Sequence, residues 1–199
     1  MTQSVNTIKS VCDLLITGHH NDAKCILNSE YPFSYVKPNK RAYTPKECMD
    51  VFVRDGFIDR YSGARLIFPG TLRLIHKVIP SEFPFHTNWK MSKTHIAFWE
   101  LSPTIDHVVP VARGGQDVIE NWVATSQLRN SSKSNWLLEE LGWQLLPPGD
   151  ISNWDGLTSW FMEYITSNPE HLTDSYIRTW HKTVLTHPRP SLRSSQTQQ

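Results

Sequence analysis

Cysteine is scarce in this chain. Among 199 residues there are three, Cys12, Cys25 and Cys48, widely spaced and with no Cys-x-x-Cys pair. That spacing excludes a disulfide framework and a cysteine zinc knuckle, and it predicts buried thiols in a reducing compartment. Long apolar runs are also lacking. No stretch approaches the roughly 18 consecutive apolar residues of a membrane span. Asp13 interrupts the short run Val11 to Ile16, so no secretory leader is expected there. A cytoplasmic protein is the expectation. Neither sign of charge is in excess, with 20 Lys/Arg against 19 Asp/Glu. That balance does not mark a strongly basic nucleic-acid binder.

Core-forming residues are plentiful. Hydrophobic residues make up 39% of the chain and eight are tryptophan, enough to build a core rather than a disordered polymer. Charge is unevenly spread. Lys37 to Lys93 holds 11 Lys/Arg and five Asp/Glu; Thr94 to Asp150 holds three and seven. A basic stretch beside an acidic one suits a nucleic-acid surface next to a cation site, and equally suits ordinary surface variation.

The pattern predicts an N-terminal helical extension over 1–42, helical from Thr7 to Leu27 with a break at Gly18-His19-His20. Tyr31 to Arg41, with two prolines, is a connection. Thr44-Pro45-Lys46-Glu47 opens a helix: a Thr cap, Pro in the first turn and Glu three residues after the cap. A short strand is expected at Leu66 to Phe68 and a helix from Leu72 to Ile79. Ile105 to Val109 is a strand, Gly114-Gly115 breaks it, and Asn121 to Thr125 returns as a second strand. Thr125 or Ser126 caps a helix expected to reach about Leu141, with a short strand at Trp143 to Leu146. Two helices follow, near 154–166 and 174–185. The organisation expected is a central unit over 43–150, C-terminal helices over 151–187 and a disordered tail over 188–199. Trp89, Trp99, Trp136, Trp154, Trp160 and Trp180 are expected in the core.

One segment carries chemistry. It runs Thr104-Ile105-Asp106-His107-Val108-Val109-Pro110, through Arg113-Gly114-Gly115 and Asn121-Trp122, to Arg129-Asn130-Ser131-Ser132-Lys133. A neutral imidazole such as His107 accepts a proton from water near pH 7. Asp106 offers a carboxylate and Asn130 an amide oxygen, donors suited to a hard cation that keeps several waters. Such a grouping fits hydrolysis of a phosphodiester. Lys133 falls one helical turn after Asn130. Neighbouring strand residues point to opposite faces, so Asp106 and His107 converge only where the strand ends or kinks.

In that order, Asp-His, apolar-apolar-Pro, Gly-Gly, Asn-Trp and Asn-x-x-Lys resemble the motif of the HNH endonucleases. The resemblance implies an α+β fold: a ββα-metal core, a β-hairpin plus a helix, among mainly helical flanking segments. It implies that His107 is the general base. Asn121 would be the central asparagine orienting it, and Asp106 and Asn130 the ligands of one Mg2+, Mn2+ or Ni2+. The third motif position is Asn130, giving an H-N-N form. Many family members carry two Cys-x-x-Cys pairs binding structural zinc. The corresponding places here are Asp59 and Ser62, then Ser126 and Arg129, so no structural zinc is expected.

The reading is a metal-dependent endonuclease acting on DNA. Arg113, Arg129 and Lys133 are candidate phosphate contacts, and a homodimer or successive nicks would serve duplex cleavage. The rivals are a non-catalytic nucleic-acid-binding protein on a nuclease-like fold, and a ribonuclease.

Overall fold

Gly18, at a φ of 80°, turns the chain between two N-terminal helices in the computed structural model. Residues 2–33 and 42–187 are described. The tail expected at 188–199 lies outside them, as does most of the Tyr31 to Arg41 connection. The chain divides into two units, 1–41 and 42–199.

In the first unit, α1 (Thr2–Ile16) and α2 (His20–Glu30) form a helical hairpin. The His19 amide donates to the Leu14 carbonyl at the turn (2.9 Å). The Thr7 hydroxyl donates to Glu30 across the pair (2.9 Å). Thr7 and Ala23 are the buried residues of this hairpin. The break expected at 18–20 is present. Cys12 and Cys25, expected to be buried, are exposed, because they fall off the inner face that Thr7 and Ala23 define.

The second unit opens on α3 (Pro45–Arg54). Its cap is reciprocal: the Thr44 amide donates to Glu47 Oε2 (2.8 Å), and the Glu47 amide donates to Thr44 Oγ1 (3.2 Å). The Thr44 bonds hold the Glu47 carboxyl below its usual value. The apolar face of α3 places Met49, Val51 and Phe52 in the core. They meet residues from α4 (Pro69–Val78), α8 (Thr158–Ser167) and α9 (Ser175–Thr186). Phe68 lies at the centre of this packing, edge-on to Phe161 (5.1 Å) and Trp180 (5.3 Å). Burying each such ring contributes about 1.5–3 kcal/mol.

The short α5 (Ala97–Leu101) leads into the sheet, which among the described residues is one antiparallel pair, β1 (Pro103–His107) and β2 (Trp122–Ser126). Ile105 pairs with Ala124 and His107 with Trp122. Ile105 and Ala124 point into the core and fix the register, since a one-residue slip would turn them outward. Ser126 caps α6 (Gln127–Lys133) by accepting the Arg129 amide (3.1 Å). Mixed helix with a two-stranded antiparallel sheet makes the fold α+β.

Several elements are shorter than the sequence suggests. Rather than running to Leu141, α6 stops at Lys133, because Ser134 takes a positive φ of 48°. A separate turn, α7 (Leu138–Leu141), follows and ends on Gly142 at φ 67°. The strands expected at Leu66 to Phe68 and Trp143 to Leu146 do not form. A single bridge joins Ile58 to Arg65, and the Leu146 amide donates to the Arg60 carbonyl (2.8 Å). Trp180 is a core residue, whereas Trp160 and Trp136 are exposed: α8 turns Phe161 and Ile165 inward instead, and Trp136 lies in the link between α6 and α7.

Candidate catalytic and metal site

β1 ends at His107, and the two residues at its end are held by different partners. Asp106 faces Tyr61 and Lys133. The Tyr61 hydroxyl donates to Asp106 Oδ2 (2.7 Å), and Lys133 Nζ lies 2.9 Å from the same oxygen. Lys133 also donates to the His107 carbonyl (2.7 Å), so one ammonium ties side chain and backbone of the Asp-His pair together. Burial and the adjacent Asp106 carboxylate push the Tyr61 phenol far above its ordinary pKa.

His107 faces Asp117 and Trp122. Its Nε2 lies 2.7 Å from Asp117 Oδ1 and 3.2 Å from Trp122 Nε1; Trp122 Nε1 is also 3.0 Å from Asp117 Oδ1. A carboxylate only accepts and an indole only donates. When Nε2–H and the indole N–H both point at Asp117, its carboxylate accepts from both, and the Trp122–His107 contact is then a close approach of two donors rather than a hydrogen bond. A neutral His107 ring then keeps its unprotonated nitrogen at Nδ1. Tyr43 stands edge-on to Trp122 (4.9 Å between centroids) and backs the cluster.

Asn121 locks the loop between the strands. Its Oδ1 accepts the Val109 amide (2.9 Å), and its Nδ2 donates to the carbonyls of Val109 (2.9 Å) and Gln116 (2.8 Å). An extended backbone cannot make three such bonds within one residue's reach, so the chain folds back on itself here. Gly115 sits inside the curve. A methyl group at 115 would collide with the Val109 carbonyl and press on the Asn121 amide.

Asn130 lies on α6 where that helix packs against β1. Its Nδ2 reaches the Ile105 carbonyl at 3.5 Å, a contact at the limit of hydrogen bonding. The remaining sequence candidates lie apart. Arg113 pairs with Glu140 (2.8 Å), and the Arg129 guanidinium stacks 4.8 Å over Trp143. Lys133, expected on an accessible helix face, is instead fully buried. Its position in the last turn of a short α6 points it back along β1.

The two oxygen donors expected for a divalent ion, the Asp106 carboxylate and the Asn130 amide, lie on β1 and α6; Asp106 Oδ2 is held by Tyr61 and Lys133, and Asn130 touches β1 through Nδ2. Thiolates and a second imidazole are not among them. Among the described residues no three His, Cys, Asp or Glu side chains gather as a ligand set. Two hard oxygens fit a cation that retains most of its water, and they do not fit a tightly coordinated soft metal. The Lys133 ammonium already balances the carboxylate and weakens its attraction for a further cation.

Sequence reasoning did not assign Tyr61 or Asp117 to this cluster. Tyr61 is 45 residues before Asp106, and Asp117 sits in a loop with no periodicity to mark it. The role of Asp59 was also hidden. Its Oδ1 accepts the amides of Tyr61 (2.9 Å) and Ser62 (3.1 Å), and its Oδ2 accepts the Thr125 hydroxyl (3.1 Å) and the Ser126 amide (2.9 Å). One buried carboxylate therefore joins the 59–62 turn to the start of α6. Asp55 makes a parallel clamp, accepting the Ala124 amide (2.8 Å) and ion-pairing with Arg54 and Arg60 (2.9 Å each).

Comparison with models of protein families, with curated proteins and with solved structures finds no match to this chain. Among the described residues no helix is long and apolar enough to cross a membrane.

Proposed function

We propose that this protein is a metal-dependent endonuclease of the HNH kind, hydrolysing phosphodiester bonds in DNA. The observation that carries the reading is the packing of an antiparallel hairpin against a capped helix, with His107 at the end of its first strand and Asn121 bracing its loop. The Asp117 contact supports His107 as the base, since it orients the ring and leaves Nδ1 to take a proton from water. Asn121 fixes the backbone from Val108 to Gln116 and so the direction in which His107 projects. Asp106 and Asn130 would hold one Mg2+, Mn2+ or Ni2+. When bound, that ion supplies neutralisation of charge on the phosphoryl oxygens and on the leaving 3′ oxygen. The products would carry 5′-phosphates. Arg113 and Arg129, at the margins of the same unit, are the candidate phosphate contacts. Lys133 acts on this reading as a support for Asp106 and His107, not as a contact to phosphate.

The test is nicking of a supercoiled plasmid in Mg2+, with EDTA as control and His107→Ala beside the parent. Nicking that needs the ion and disappears in H107A supports the proposal. Cleavage of RNA alone would point to a ribonuclease.

The buried Lys133–Asp106 pair favours a second reading: a nucleic-acid-binding protein on a nuclease-like fold, with the cation site filled by its own lysine. DNA binding without cleavage in Mg2+, Mn2+ or Ni2+ would select it.

A further inference from the structure

The N-terminal hairpin carries two apolar stripes and uses one. On α1 the inner stripe is Ser4, Thr7, Val11 and Leu14, each wholly or partly buried. A second stripe lies beside it: Val5, Ile8, Cys12 and Leu15, all exposed to solvent. Its spacing is three, four, three, the seam of a coiled coil. Leu27 adds exposed apolar surface on α2.

Three observations say what covers this seam. First, the hairpin has almost no interior of its own, since Thr7 and Ala23 are its buried residues. Helices of 15 and 11 residues are marginal in water without a packed face. Second, the charge is close to balanced. Between residues 2 and 30, Lys9 and Lys24 stand against Asp13, Asp22 and Glu30. Such a surface gives no hold on a polyanion and no reason to seek a strongly charged protein. Third, the stripe is self-complementary. Its midpoint falls between Ile8 and Cys12, so two antiparallel copies set Val5 opposite Leu15 and Ile8 opposite Cys12. That is the arrangement of a twofold interface.

We propose that the Val5–Ile8–Cys12–Leu15 seam is a self-association surface, seated against the same seam of a second copy of this chain to make a four-helix bundle. The surface argument stands apart from the nuclease reading; its consequence for cleavage rests on it. One chain has one His107 and cuts one strand, and pairing through the N-terminal hairpins puts two such sites in one particle.

Sedimentation velocity of the full chain, without DNA or metal, tests the surface. The parent should sediment as a dimer and the Ile8→Glu/Leu15→Glu variant as a monomer. Cys12→Leu should tighten the dimer about tenfold, the factor that about one more buried methylene from each copy provides. This second variant keeps the test valid if the charged one unfolds its hairpin. A parent that stays monomeric at high concentration overturns the proposal, as does a charged variant that is folded and still dimeric. On plasmid, the parent should yield linear product and the charged variant nicked circles. A chain that dimerises yet never nicks refutes the nuclease reading and leaves this surface standing.

Discussion

Lys133 holds its ammonium 2.9 Å from Oδ2 of Asp106 with none of its side chain exposed to water. Removing one partner of such a pair strands the other charge in a medium of low polarity. Lys133→Met should lower unfolding free energy by about 3–5 kcal/mol, read as a drop in urea midpoint. Adding Asp106→Asn to it should recover much of the loss, because the stranded charge is then gone. If Asp106 is also a cation ligand, Mg2+ should raise the melting temperature of K133M more than that of the parent. A single variant as stable as the parent would mean the pair is not buried in solution.

Tyr61 makes stability depend on pH at the alkaline end. Its folded-state pKa is raised, by burial first and then by Asp106. Protonated Tyr61 therefore contributes fully below about pH 10, where an unfolded tyrosine begins to ionise. Above that pH the unfolded chain gives up the proton while the folded one keeps it, so stability falls as pH rises. Tyr61→Phe should flatten this alkaline limb in urea titrations run between neutral pH and pH 11. A parent whose stability does not change over that range would refute the assignment.

Asp59 is the clamp between the 59–62 turn and the head of α6. Asp59→Ala leaves the Tyr61 amide, the Ser126 amide and the Thr125 hydroxyl short of an acceptor, while the Ser62 amide keeps the backbone carbonyl of residue 59. The expected cost is about 3 kcal/mol or more by chemical denaturation. Asp59→Asn should fall between parent and alanine, since its one oxygen can serve only one side. Equal midpoints for all three proteins would show that the clamp is idle.

Asp117 should matter to turnover more than to binding. An amide at 117 can offer N–H to Nε2 of His107, which would move the ring proton to Nδ1 and spoil the base. Asp117→Asn should reduce kcat for nicking about 10- to 100-fold with little change in KM, on the scale typical of residues that orient a functional histidine. Asp117→Glu should restore part of the loss. Equal loss in both variants, or a change confined to KM, would argue against orientation.

Much of the second unit is legible in its sequence because local signals and tertiary packing agree there. Thr44-Pro45-x-Glu47 announces its own helix, and the β-branched run before Gly114-Gly115 announces a hairpin. Where tertiary contacts overrule local signals, the reading falters. No residue before Ser134 predicts that α6 will stop, since Lys133 must turn towards Asp106 and the backbone bends to allow it. Leu66 to Phe68 has strand composition but finds no neighbouring strand, and Phe68 goes into the aromatic core instead. The motif residues could be named from their chemistry and from the resemblance that they carry. Their partners could not, because Tyr61 and Asp117 reach the site through folding and carry no spacing of their own.

Gly114 and Gly115 look interchangeable on paper and are constrained for unrelated reasons. The first needs its backbone angle, a φ of 90°, and has empty space around it. The second is confined by the Val109 carbonyl. An asparagine, which tolerates the left-handed region, is a plausible tenant at 114 and an intruder at 115. Natural or laboratory variation in this loop should therefore gather on the Arg113–Gly114 side, where the turn faces outward, and stop abruptly one residue later.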